Sequence, residues 1–488
     1  MSCDNLADLG LNGHFGQTGA TITGYYNQLS KERNSLTLKI RRESFNAMNV
    51  LLKRDLKVPK PKVLNSDKDP PLLQPENAIA AIQSDSENTI LTFLNEFIVN
   101  VQANTKSVSR LVSNENFINN LTELFNNEYS SLTTIALFQV TAIIFQQSKL
   151  NRQLVDSDII ATLSSLVLAD ESDITTPLIA LIGSIAASSA YARDALLCFG
   201  IHFSLIDRIK QTEDESLKEA TGKCLCIIFG GPHPYSSDVV HDCIQSLIQL
   251  LENASIPLIQ SILTILIDMT NKVTETVYLI YDLGLFPFVI ETLQNQELRT
   301  VALALCGNLT VSQPMQAKKF MDLGLYDILM NVMSDDDDAP YALWILSNLL
   351  DSIPTVILPL LTMEMILQCV QATETSTSEF KQEVTYFVGT IIIVAGTEIS
   401  LLFLRQEIFD LLVEMLGCGI YNIIVRCIDS LQKIALSSIS TGHCEQYSNL
   451  IQSTDFPDRV EELDDSDNPI YHDKIEALQK TIEDVQNQ

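Results

Sequence analysis

The chain has 488 residues, is 46% hydrophobic, and carries 61 carboxylates against 31 Lys and Arg, a formal net charge of −30. Few single hydrophobic cores grow to that length, so several domains or a repeat array are expected. A field of that sign repels nucleic acid and anionic membrane and draws in basic partners, which argues against DNA binding.

With 18 glycines and 16 prolines the chain is poor in breakers, and Leu and Ile dominate, which favours helices. The ten cysteines are scattered through apolar runs, and the closest pair, Cys224 and Cys226, lacks metal spacing. They read as free core thiols in a reducing compartment, with neither metal nor cofactor expected. No signal peptide opens the chain, and the most apolar stretch, Phe387 to Leu404, is interrupted by Gly389, Gly396 and Glu398. The expectation is a soluble, intracellular protein.

In chain order, residues 1–28 are polar and read as a disordered N-terminus. Residues 29–62 follow as a basic segment; within 31–62 ten Lys and Arg face Glu32, Glu43 and Asp55, a net of +7 that leaves −37 on the rest. Such polarity points to two separate binding tasks. Residues 63–78, with Pro70, Pro71 and Pro75, have linker composition.

From residue 79 to 438 a period takes over. DLGLFPFVIETL begins at Asp282 and DLGLYDILMNVM at Asp322, forty positions later. The same phrase starts near Asp158, Gly200, Asp242, Gly284, Gly324, Glu364 and Glu407, at intervals of 42, 42, 42, 40, 40 and 43. A second landmark runs through Gln146, Ser184, Cys226, Ile265, Asn308, Asn348 and Thr390, at intervals of 38, 42, 39, 43, 40 and 42. Two landmarks in phase at this period, on helical apolar spacing, indicate armadillo or HEAT repeats, about nine or ten of them. Stacked units would form a superhelix whose long, acidic concave groove suits an extended basic peptide. Residues 439–488 read as an acidic tail ending in a short helix from His472.

The only tryptophan, Trp344, stands four residues before Asn348 in YALWILSNLL. On a helix such a pair shares one face. Turned to a groove, the amide can donate to and accept from a peptide backbone, while the indole walls the stem of a Lys or Arg. The alternative is a buried indole beside a local backbone cap.

These stretches resemble the importin-α family. ALIGSIAASSAYARDALL from Ala180 is similar to its third repeat, ALCGNLTV from Ala304 to its sixth, WILSNLL is its Trp-x-x-x-Asn pattern, EVTYFVGT from Glu383 is similar to its eighth, and DKIEALQ from Asp473 to its closing phrase. LKIRRESFNAMNVLLKRDL from Leu38 resembles the family's importin-β-binding helix. The resemblance implies a right-handed superhelical armadillo solenoid with a flexible basic N-terminal segment. It further implies an adaptor for basic nuclear localisation signals that shuttles between cytoplasm and nucleus, and a recycling exportin as further partner.

By this resemblance Asn308, Trp344, Asn348, Glu383, Tyr386 and Thr390 form a minor-type signal site. The major-type site is degenerate: Ala142, Ala180 and Gly222 replace its tryptophans, Gln146, Ser184 and Cys226 its asparagines, and Ser188 its aspartate. Pro314 stands at an expected acidic position of the minor site. Arg33, Lys39, Arg41, Arg42, Lys53 and Arg54 would contact importin-β, and Lys53–Arg54 can also fold back onto the acidic groove as an autoinhibitor.

A second class is an armadillo scaffold, kin to catenin-like adaptors, for a partner bearing no such signal; the lost major-site residues favour it and the acidic body opposes it. No catalytic motif emerges. GGPHP at Gly230 falls where the repeat expects a turn, leaving His233 solvated, and Asp335–Asp338 reads as an exposed loop.

Overall fold

The computed structural model describes residues 73–100, 105–146, 154–155, 159–169, 172–230, 235–273, 275–311, 314–464 and 469–487. The expected disordered N-terminus and importin-β-binding-like segment, with Arg33, Lys39, Arg41, Arg42, Lys53 and Arg54, lie outside the described residues, as does His233. Among the described residues every regular element is helical, so the all-α expectation stands. They divide into two compact units, 73–283 and 284–487.

In the first unit, five long helices follow one another: α1 (Glu87–Asn100), α2 (Ser131–Gln146), α3 (Thr175–Ser188), α4 (Glu215–Phe229) and α5 (Ile256–Lys272). Each packs on the next. In the second unit, α6 (Arg299–Thr310), α7 (Ala339–Ser352), α8 (Ser378–Val394), α9 (Tyr421–Thr441) and α10 (Pro469–Gln486) pack pairwise in the same way. Shorter helices precede each long one. Pro314–Asp322 and Leu325–Val332 lead into α7, and Cys444–Gln452 and Phe456–Asp464 into α10. Three helices per forty-odd residues is the armadillo repeat.

The local chemistry explains the division. The long helices are apolar around most of their circumference because neighbours enclose them; in α5, Leu258, Ile262, Leu263, Ile265, Leu266, Ile267 and Met269 are all buried. Each such side chain contributes about 1.5–3 kcal/mol when withdrawn from water. Polar caps set the starts: Asp214 accepts the Ser216 N–H before α4, and Thr377 accepts the Phe380 N–H before α8. The recurring glycine of the DLG phrase also has a steric cause. Gly324 of that phrase, and Gly200 at the equivalent position of an earlier repeat, hold left-handed φ of 84° and 71° between the two short helices.

Two boundaries differ from the sequence reading. Helix begins at Pro75, inside the expected linker, because a proline in the first turn gives up no intrahelical hydrogen bond. The expected acidic tail contains a further complete triplet, and its last helix is 18 residues long. Ile475, Leu478, Ile482 and Val485 are buried on one stripe of α10, which packs on α9. Charge on the opposite face hides that stripe from a compositional reading.

Candidate functional site

The second landmark of the sequence lies on the long helices, so the expected site residues occupy equivalent steps of a ladder. On α7, Trp344 and Asn348 share a face as their spacing requires, but that face is turned onto α6. Trp344 is 2% exposed, and its ring lies over Gly307, where a Cβ would stand 1.1 Å from the indole Cζ3. Asn348 is 3% exposed, and its Nδ2 donates to the Gly307 carbonyl at 3.0 Å and to the Thr310 hydroxyl at 3.3 Å. The expected clamp facing an open groove is therefore corrected. The missing side chain of Gly307 leaves a slot on α6, the indole fills it, and the amide fastens the two helices together. The asparagine in this apolar helix is an inter-repeat tie.

The next steps repeat this arrangement. Arg426 on α9 lies over Gly389 of α8, where a Cβ would come within 2.6 Å of the arginine Cγ. Its guanidinium sits 4.4 Å from the Tyr386 ring centroid and donates to the Tyr386 hydroxyl. Burial works against the charge, but Tyr386, Asp351 and Asp429 together hold the guanidinium protonated. Ser430 then reaches the Gly389 carbonyl at 3.4 Å, as Asn348 reaches Gly307. Tyr386 is buried, so the aromatic face expected to be open to a ligand is covered by Arg426. Thr390 is fully buried and its hydroxyl donates to the Tyr386 carbonyl of its own helix at 2.7 Å. Glu383 and Asn308 remain half-buried. Arg426 and Ser430 escaped the sequence reading, although stepping forty residues from Tyr386 and Thr390 reaches both.

In the first unit the degenerate positions point three ways. Gln146 is exposed at the end of α2. Ser184 donates to Ala180 of its own helix at 2.9 Å, and Ser188 to Ile185 at 2.7 Å. Cys226 is fully buried; its thiol donates to the Ser261 carbonyl of α5 at 3.2 Å and burial pushes its pKa up to about 12. Gly222 lies against Leu258 and Ser261, so α4 and α5 approach closely where an indole would otherwise stand.

Among the described residues no group of three His, Cys, Asp or Glu side chains is placed to hold a metal ion. No single helix there is long and apolar enough to cross a membrane; the one pair that passes jointly, Ala339–Ser352 with Pro354–Leu360, is bent by 118°.

No family model matches the chain, and no curated protein matches it. Among solved structures it is similar to an engineered protein, a target of the Northeast Structural Genomics Consortium, at 16% identity and a TM-score of 0.64, covering 84% of this chain and 98% of that one. It is also similar to a designed armadillo repeat protein, at 16% identity and a TM-score of 0.41, over 47% of this chain and 98% of the other. A designed armadillo repeat protein in complex with peptide (KR)4 stands at 14% identity and 0.42, over 47% and 98%. The protein has an armadillo-type fold.

Proposed function

We propose that the protein is a non-catalytic adaptor that binds an extended basic segment of a partner protein along its ladder of long helices. The observation that carries this is charge on architecture: residues 73–488 hold 54 Asp and Glu against 20 Lys and Arg, folded as helical repeats that present Asn308, Asp351 and Glu383 at partly open ladder positions. Long-range attraction steers a cationic chain to such a surface, and the half-buried carboxylates pair with its side chains. In the finer form of this reading the segment is a nuclear localisation signal, residues 29–62 recruit importin-β, a recycling exportin returns the protein, and it shuttles between cytoplasm and nucleus.

Fluorescence anisotropy of a labelled Lys/Arg octapeptide tests the reading. Binding should weaken steeply from 50 to 200 mM salt, as it does wherever charge pairing dominates, with screening lengths of roughly 14 falling to 7 Å over that range. Removing residues 1–62 should tighten it by lifting internal competition. Salt-independent binding, or none with either form, would refute it. A second reading has one observation in its favour. Because Trp344 and Asn348 are spent on α6, the chain is on this view a scaffold for a partner without such a signal, recognised by protein capture that an excess of basic peptide does not compete.

A further inference from the structure

The aromatic step of the ladder in the second unit carries an occupant supplied by the chain itself. Trp344, Tyr386 and Arg426 stand at equivalent positions of α7, α8 and α9, so the series of ring-bearing steps ends in a guanidinium. That guanidinium lies over Tyr386, 4.4 Å from the ring centroid, with Nη2 donating to the phenol oxygen. Its stem crosses Gly389, which leaves it the room. Its Nη1 is buried without a hydrogen-bond partner. The side chain is thus charged, enclosed and incompletely satisfied, an arrangement that is costly to keep and open to exchange.

We propose that Arg426 is a built-in stand-in for a partner's basic side chain: it takes the Tyr386 face and ends the stretch of ladder along which a basic segment is read. This rests on the adaptor reading above and adds a specificity-determining residue to it. An incoming Lys or Arg reaches Tyr386 only by displacing Arg426, and until then meets its positive charge. Asp351, which helps hold Arg426 protonated, and the half-buried Glu383 one turn before Tyr386 then face the incoming cation in its place. A segment that ends its basic run before this step is preferred over one that continues through it.

The test measures anisotropy of a labelled Lys/Arg octapeptide on the full chain, comparing the natural protein with Arg426→Ala, Arg426→Met and Arg405→Ala. Arg405 is exposed, so its substitution removes the same charge without opening the ring. Arg426→Ala should bind at least about fivefold tighter, the scale of a single cation–aromatic interaction, and more tightly than Arg405→Ala does. Adding Tyr386→Leu to Arg426→Ala should abolish that difference. If loss of the stem over Gly389 unfolds the alanine variant, Arg426→Met, which keeps an unbranched stem, decides the matter by the same comparison. Equal tightening by Arg405→Ala, or none by either Arg426 variant while the natural protein binds, overturns the stand-in alone. Absence of peptide binding in every variant overturns it together with the adaptor reading.

Discussion

His202 lies on the helix Ile201–Gln211 in the first unit, 2% exposed, with neither ring nitrogen hydrogen-bonded. Its ring centroid is 4.0 Å from that of Phe203 and 6.0 Å from that of Phe229. Burial lowers its pKa from the usual 6.5 to about 4, against a smaller upward pull from Asp242. A histidine depressed in the folded state is protonated first in the unfolded chain, so stability is lost as pH falls through 6.5 toward 4. Between pH 7 and 5 the linkage amounts to about 1.8 kcal/mol, or roughly a 20-fold change in the unfolding equilibrium of its region. Urea denaturation followed by circular dichroism at both pH values measures this against His202→Leu, which removes the titration while other acid effects remain. The variant should lose about 1.8 kcal/mol less on acidification. It should also match or exceed the natural protein at pH 7, because two unsatisfied buried nitrogens are gone. An identical pH dependence in the two proteins would refute the reasoning.

Gly307→Ala places a methyl on the Trp344 ring and should destabilise the second unit by about 1–3 kcal/mol, with the single-tryptophan emission shifting red as the indole leaves its slot. Unchanged emission would show that the ring does not need that space. Asn348→Ala strips the tie to Gly307 and Thr310 and should cost about 1–3 kcal/mol in urea denaturation, whether or not a basic peptide is present. Thiol labelling mapped by mass spectrometry should mark Cys198, which is exposed, well before Cys224, Cys226, Cys306 and Cys427, whose thiols burial holds protonated; early labelling of those four would contradict their enclosure.

The forty-residue beat, the long apolar helix in each unit and the DLG turn were all legible in the residues. Each depends on local spacing: apolar positions at helical intervals, and a glycine where φ must be positive. The last repeat was missed, since the charged face of α10 outweighs its narrow apolar stripe in any reading by composition. At the candidate site the spacing of Trp344 and Asn348 correctly implied one shared face. Which way that face turned depended on Gly307, one repeat earlier, whose lack of a side chain opens a slot that only appears once α6 and α7 are stacked. The same holds for Arg426 over Gly389 and Tyr386. Helix periodicity is a property of neighbours along the chain, and the sequence alone determined it. The direction and availability of a side chain belong to the contact between helices a full repeat apart, and only the tertiary structure decided those.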